Sequence, residues 1–219
     1  MNVIVIGGSD QGRQVIDAIV ARGDHTVVGV LDRDLPGATD VSGYPVIGRD
    51  NELGECAERV GAEGFVVAIG DNFARGVVLE REDAACAELT LITVAHPSAV
   101  IARDAVVGAG SILLAGSVVS NGSTVGRGVL LGTRASIDHD AHVGDHASLG
   151  PGATTGGNVR IGRTTAVGLG ACVIHGLTIG EHTVIGAGAL VLEDLPDGVV
   201  AFGHPARVVR TRQAGDRYL

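Results

Sequence analysis

Lysine and tryptophan are absent from the 219 residues, and the aromatic share is 2%, three Phe and two Tyr. A core without aromatic bulk must be assembled from Val, Ile, Leu and Ala, and the 45% hydrophobic content is enough to do so. Positive charge comes from Arg alone. Sixteen basic residues face 25 acidic ones, and the net charge of −9 argues against nucleic acid as a partner. Cysteine is scarce too. Cys56, Cys86 and Cys172 are odd in number, widely spaced and form no C-x-x-C pair, which excludes a disulfide framework or zinc knuckle and fits a reduced, cytoplasmic compartment. No apolar run approaches the ~18 residues of a membrane span. Residues 1–7 are apolar but short and lack a basic flank, so no signal peptide is expected. Glycine alone is in excess: 35 residues, more than twice the usual share of roughly 7%. Without a collagen period, that many glycines imply many tight turns.

Two periods divide the chain. Residues 1–95 alternate β and α. An apolar run at Val3–Ile6 leads into Gly7-Gly8-Ser9-Asp10-Gln11-Gly12. A helix over 13–22 then carries Val15, Ile16, Ile19 and Val20 at helical spacing. Strands are expected at Thr26–Leu31, Pro45–Ile47, Phe65–Ile69 and Leu91–Val94, and helices over 51–60 and 72–87. Such alternation implies a Rossmann-like parallel sheet covered on its faces.

From Val100 the chain falls into sixes. The second place of each hexad reads Ile101, Val107, Leu113, Val119, Val125, Leu131, Ile137, Val143, Leu149, Thr155, Ile161, Val167, Val173, Ile179, Ile185, Val191, and only Thr155 breaks the aliphatic series. The sixth place is mostly small. Hexapeptide repeats build a β-helix of three short strands per coil, with the aliphatic residue turned inward onto its neighbour 18 positions away. No single repeat buries its own apolar side chain, so stacking supplies the stability. The fold class expected is therefore α/β followed by β, over 1–95 and 96–208, with a C-terminal tail at 209–219.

These features together resemble the hexapeptide-repeat sugar O-acyltransferase family, which includes sialic acid O-acetyltransferases and the bacillosamine and perosamine N-acetyltransferases. The resemblance covers nearly the whole chain. It rests on the Gly-rich first loop, Leu31-Asp32, Ile69-Gly70-Asp71-Asn72 with Arg75, His96-Pro97, the repeats, Asp138-His139-Asp140 and Gly203-His204-Pro205-Ala206-Arg207. It implies a left-handed β-helix, a homotrimer with active sites between subunits, and acetyl-CoA as co-substrate. The activity implied is acetyl transfer to a nucleotide-linked amino sugar in surface glycan biosynthesis, or O-acetylation of a sialic acid or other sugar.

Acetyl transfer needs a base, an oxyanion donor and two substrates held together. His139 sits at the fourth place of its hexad, near a corner, between Asp138 and Asp140. From spacing alone it is a base or a solvated polar turn; the resemblance makes it the base and Asp140 the residue that orients it. Ser148 stands where some relatives carry a second His, and offers one hydroxyl. His142 and His146 read as exposed β-helix surface. Gly157, one coil beyond His139, leaves room for a thioester or permits a turn with positive φ. By resemblance its N–H faces the acetyl oxygen, and Leu169, Gly170 and Ala187 match positions where the family's backbone contacts pantetheine. Arg163 and Arg207 match CoA phosphates by charge. In the first half, Gly7, Gly8, Ser9 and Gly12 open a helix whose N-terminus suits a phosphate, though their spacing departs from G-x-G-x-x-G. Asp32, Asp71 and Asn72 end strands on the same carboxyl edge, where the family holds its nucleotide-sugar.

Three readings compete, one of them a non-catalytic sugar-binding or scaffold protein, which would not need the His139–Asp140 pair. The 36-residue spacing of His139 and His175, repeated by His146 and His182, is similar to that of metal ligands in γ-class carbonic anhydrases, but the third-ligand positions five residues on are Gly180 and Ala187, and no metal is expected. An NAD-dependent dehydrogenase would need a longer α/β half.

Overall fold

A computed structural model describes residues 1–34 and 40–217. The first half runs β1 (Asn2–Ile6), α1 (Asp10–Arg22), β2 (Thr26–Leu31), β3 (Asp40–Val41), β4 (Tyr44–Gly48), α2 (Leu53–Val60), β5 (Gly64–Val67), α3 (Asn72–Ala85) and β6 (Thr90–Leu91), its strands forming one sheet in the order β3-β4-β2-β1-β5-β6. All its pairs are parallel except β3 with β4. Val3–Ile6 are fully buried because β1 is covered on both faces. Val3 and Val5 pack towards α1, and Ile4 and Ile6 towards α2 and α3.

The second half is a β-helix of two-residue strands, each parallel to the strand 18 residues on. The first face holds Val94–Ala95, Ile112–Leu113, Leu130–Leu131, Ser148–Leu149, Ala166–Val167 and Val184–Ile185. The second runs from Val100–Ile101 through Ser136–Ile137 and Thr154–Thr155 to Leu190–Val191. The third runs from Val106–Val107 through His142–Val143 to Thr178–Ile179. Second-place side chains fill the interior: Ile137, Leu149, Ile161 and Val173 are at most 3% exposed. Ile101 is 40% exposed, because no preceding coil covers the start of the second face. The fifth place of every hexad from 106 to 189 turns with positive φ, at Gly110, Gly116, Gly122 and Gly152 for instance, which accounts for much of the glycine excess. Buried sixth-place hydroxyls staple successive turns. Ser111 donates to Gly126 O and accepts from Val129 N–H; Thr165 does the same with Gly180 and Thr183.

The strand expected over 91–94 is two. Thr90–Leu91 closes the α/β sheet, while Val94–Ala95 pairs with Ile112–Leu113 and belongs to the β-helix. The expected tail is also partly strand. Val199–Gly203 and Ala206–Thr211 form an antiparallel hairpin that extends the first face, and Arg212 beyond it is 8% exposed. Residues 218–219 of that tail lie outside the described residues.

The two halves share one seam. Helix α1 lies between the parallel sheet and the first face, where Val15, Ile16 and Ile19 belong to one core with Ile112, Leu114 and Leu130. Helix α3 docks on the corner between the third and first faces through Arg75, whose side chain is fully buried. Its Nε donates to Gly128 O at 2.8 Å, Nη1 to Ile69 O at 2.9 Å, and Nη2 to His146 O at 2.8 Å and Asn72 Oδ1 at 2.9 Å. Asn72 continues the clamp, its Nδ2 donating to Thr165 O at 3.0 Å. Replacing Arg75 with Met strands several buried carbonyls, each costing about 1–3 kcal/mol. The Arg75→Met variant should therefore lose about 3 kcal/mol or more and melt roughly 6–12 °C lower in a thermal scan. A midpoint within ~2 °C of wild type, the shift of a change under 1 kcal/mol, would remove the clamp from the stability argument.

Candidate active site

His139 lies on the turn between Ser136–Ile137 and His142–Val143, at the corner of the second and third faces, with 43% of its side chain exposed. Its Nδ1 is 2.9 Å from Asp140 Oδ2. With a carboxylate as acceptor, Nδ1 carries the proton and Nε2 keeps a free lone pair. Asp138 Oδ1 accepts the His139 N–H at 2.8 Å. The hydrogen bond to Asp140 holds the imidazole above its ordinary pKa, and the charges of Asp138 and Asp140 push the same way.

Glycines in the adjacent coils make room for both partners. The imidazole of His139 lies over Gly157, where a Cβ would collide with Nε2 and come within 2.8 Å of Cδ2; the Asp140 carboxylate lies over Gly122 in the same manner. Gly157 is therefore cleared for the imidazole rather than for a substrate. Its φ is not positive either; that conformation falls on Asn158. The Gly157 N–H has no acceptor among the described residues. His175, one coil further, brings its ring centroid to 6.1 Å from that of His139 across the same glycine. Among the described residues no three His, Cys, Asp or Glu converge as a metal would require.

A second constellation lies at the other side of the chain. Asp32 Oδ2 accepts the Gly8 N–H at 2.6 Å and Oδ1 the Asp34 N–H at 2.8 Å, so this carboxylate shapes the loop at the start of α1. Gly7 has φ 114° and is packed where a Cβ would stand 2.8 Å from Ala68 O; Gly12 lets α1 close onto the Gly7 carbonyl. Ser9 is the N-cap, and its hydroxyl makes no capping bond. Beside this loop a cavity of about 440 Å³ opens between α1 and the first face, lined by Gln11, Gln14, Gly70, Ser148, Leu169 and Ala187. The structure thus unites Ser148, Leu169 and Ala187 with the loop helix. Gln14 was not selected from the sequence. Its signal there was the polar pair Gln11 and Gln14 at i, i+3 beside the apolar stripe of α1.

Other expected site residues are occupied elsewhere. The Asp71 carboxylate caps α3, accepting the Ala74 N–H at 2.8 Å. Asn72 is 1% exposed and engaged in the clamp, so it cannot reach a nucleotide. Arg163 stands at the corner of the third and first faces with Phe73 and His182, away from Leu169 and Gly157. Gly170 is a left-handed turn residue, and Arg207 on the exposed hairpin pairs with Glu193 at 3.1 Å. His142 is exposed as expected, but His146 is 3% exposed. Helix α3 covers it: Gly76 abuts its ring, Glu80 takes its Nε2 at 3.2 Å, and burial, with the Arg75 cation, lowers its pKa. The sequence could not show this, because the cover comes from 66 residues away. Within one chain the His139 corner is opposite the first face, so the dyad and the cavity are on different sides.

Residues 2–81 match the family described as the PglD N-terminal domain. A curated relative, the UDP-N-acetylbacillosamine N-acetyltransferase of Bacillus subtilis (strain 168), is 30% identical over 118 residues, which are 52% of this chain and 51% of the relative. The chain thus spans about half the length of the curated relative it matches. Two solved structures align almost throughout. The acetyltransferase domain of PglB from Neisseria gonorrhoeae FA1090 is 34% identical, with a TM-score of 0.86 over 95% of this chain and 99% of that one. The GDP-perosamine N-acetyl transferase of Caulobacter crescentus is 37% identical, with a TM-score of 0.90 over 96% of this chain and 97% of that one; it was solved with CoA and GDP-perosamine as a variant in which one histidine is alanine.

The dyad geometry carries a test that needs no substrate. Because the Asp140 hydrogen bond is the largest influence raising the His139 pKa, Asp140→Asn should lower it towards or below the ordinary value near 6.5. Gly157→Ala should do likewise by pushing the ring off Asp140. NMR titration of the His139 ring reads both; an upward shift in either variant would contradict the geometry.

Proposed function

The chain belongs to the hexapeptide-repeat sugar acyltransferases, with the bacillosamine and perosamine N-acetyltransferases, and on that premise we propose that it transfers the acetyl group of acetyl-CoA to the amine of a nucleotide-linked amino sugar. The observation that carries this reading is the His139–Asp140 dyad set over Gly157 on a chain that aligns with such an enzyme from end to end. His139 Nε2 takes a proton as the amine attacks the thioester carbon. The C–N bond forms, the C–S bond breaks, and the imidazolium returns its proton to the leaving thiolate. Asp140 stabilises the imidazolium while it carries that proton. The unpaired Gly157 N–H is a donor available to the oxyanion.

Residues 1–95 hold the nucleotide-sugar, its phosphates at the loop of Gly7, Gly8, Ser9 and Gly12 that Asp32 braces. Residues 96–208 carry out transfer. Leu169 and Ala187, with Ser148, offer an apolar wall to pantetheine. Because the dyad faces away from its own cavity, the site is completed by another copy, its second–third corner meeting the first–second corner of the next, in a homotrimer. The reaction belongs in the cytoplasm, where acetyl-CoA is supplied. Among the described residues no helix is long and apolar enough to cross a membrane.

A panel of nucleotide-linked amino sugars assayed with acetyl-CoA by thiol release tests the activity. His139→Ala should lower kcat by roughly 10²–10⁴ with little change in the KM for acetyl-CoA. In the wild type kcat should rise with pH through the imidazole pKa, which the dyad places above 6.5. A variant keeping more than about a third of wild-type kcat, a loss far below that range, would rule out His139 as the base. Light scattering should give three times the 22.1 kDa chain mass; a fully active monomer would overturn the shared site.

A further inference from the structure

One rung of the β-helix ladder is missing, and it is the rung beside the dyad. In the other coils the N–H of the third hexad place donates to the carbonyl of the second place in the next coil: Ser120 to Ile137 at 2.9 Å, Gly156 to Val173 at 2.8 Å, Ile174 to Val191 at 3.2 Å. Among the described residues Asp138 makes no such bond to the Thr155 carbonyl. The strands Ser136–Ile137 and Thr154–Thr155 pair through Ser136 and Thr154 alone, whereas the strand pairs on either side of them join through two couples. A side chain at the third place does not explain this, since Ser120 and Ile174 occupy the same corner and keep the bond. The Asp138 N–H donates instead to the Thr155 hydroxyl, Oγ1, at 3.3 Å.

Thr155 is the residue that breaks the aliphatic series at the second place. It is 6% exposed, stacked between Ile137 and Val173 in the apolar interior. A buried hydroxyl there costs stability unless it is hydrogen-bonded, and Val would fit the column without that cost. What the hydroxyl holds is the turn that bears His139. The same turn is pinned from inside by Ser123, whose Oγ donates to Asp138 O at 2.7 Å and accepts from Ala141 N–H at 3.1 Å. Asp138 in turn takes the His139 N–H.

We propose that Thr155 is a positioning residue for acetyl transfer: its hydroxyl replaces one rung of the ladder and holds the 138–141 turn open, so that His139 clears Gly157 and meets Asp140. This rests on the reading of His139 as the base.

Thr155→Val keeps the volume, removes the acceptor and lets the rung close; Thr155→Ser keeps the acceptor. In the full-length protein, Thr155→Val should lower kcat about 10- to 100-fold, the scale of a small misplacement of a catalytic group. Both KM values should stay within about twofold, the mark of a loss confined to the transition state. Its thermal midpoint should be unchanged or higher, and its His139 ring should titrate closer to the ordinary value. Thr155→Ser should retain about half of wild-type kcat or more, consistent with the hydroxyl as the active feature. Wild-type kcat and titration in Thr155→Val would overturn the proposal. So would equal losses in both variants accompanied by a lower midpoint, which describe a packing defect. If the wild-type chain acetylates none of the amino sugars, the proposed function fails, and the titration decides by itself: an unmoved His139 in Thr155→Val ends the positioning role.

Discussion

A guanidinium buried at the seam between two unlike folds fixes everything that depends on their relative placement. Arg75 cannot shed its proton at any pH a cell provides, so the folded state must solvate a permanent cation without water. Backbone carbonyls do this from both halves, those of Ile69 and Gly70 from the α/β sheet and those of Gly128, His146 and Ala147 from the β-helix. Neither half alone offers the full set. The clamp thereby sets α1 against the first face and creates the cavity between Gln11, Gln14 and Leu169. His146 shares the seam, and its imidazole is favoured neutral there. Its contribution is present above the unfolded pKa near 6.5 and fades as the pH falls below it.

The β-helix solves a different problem, the placement of two polar side chains to within a fraction of an ångström on a surface of turns. Its fifth-place residues turn left-handed, a conformation that costs a non-glycine about 1–2 kcal/mol. Asp140 accepts that cost at φ 55°. The gain is a carboxylate projected beside its neighbour's imidazole, over a glycine on each side. Because the coils above and below are joined rung by rung, and the turn at the one missing rung is held by the Thr155 and Ser123 hydroxyls, the dyad rests on a scaffold with little freedom to relax, which is what a preorganised site requires.

The comparisons and the geometry supply separate supports for the proposed transfer. A relative aligned over nearly the whole chain was captured with CoA and an amino-sugar nucleotide after loss of one histidine. In this chain His139 Nδ1 lies 2.9 Å from Asp140 Oδ2, the arrangement on which the proposed proton transfer rests.

Much was legible in the sequence because the governing interactions are local or periodic. The six-residue frame determined the inward column, its 18-residue stacking and the corner on which His139 falls, since one coil repeats the last. The run Val3–Ile6 before a glycine-rich turn marked a buried parallel strand for the same reason. Loop and dyad therefore stood out without coordinates. What only the tertiary structure decided concerns contacts between distant segments. Asp71 and Asn72 ended a strand where a ligand contact was expected, yet one became a helix cap and the other part of the clamp, because α3 docks on a corner about 90 residues away in sequence. His146 looked like surface and was covered by that helix. Gly157 was assigned space for a substrate, whereas the ring of His139, one coil earlier, fills it. Period tells which way a side chain points; only packing tells what it meets there.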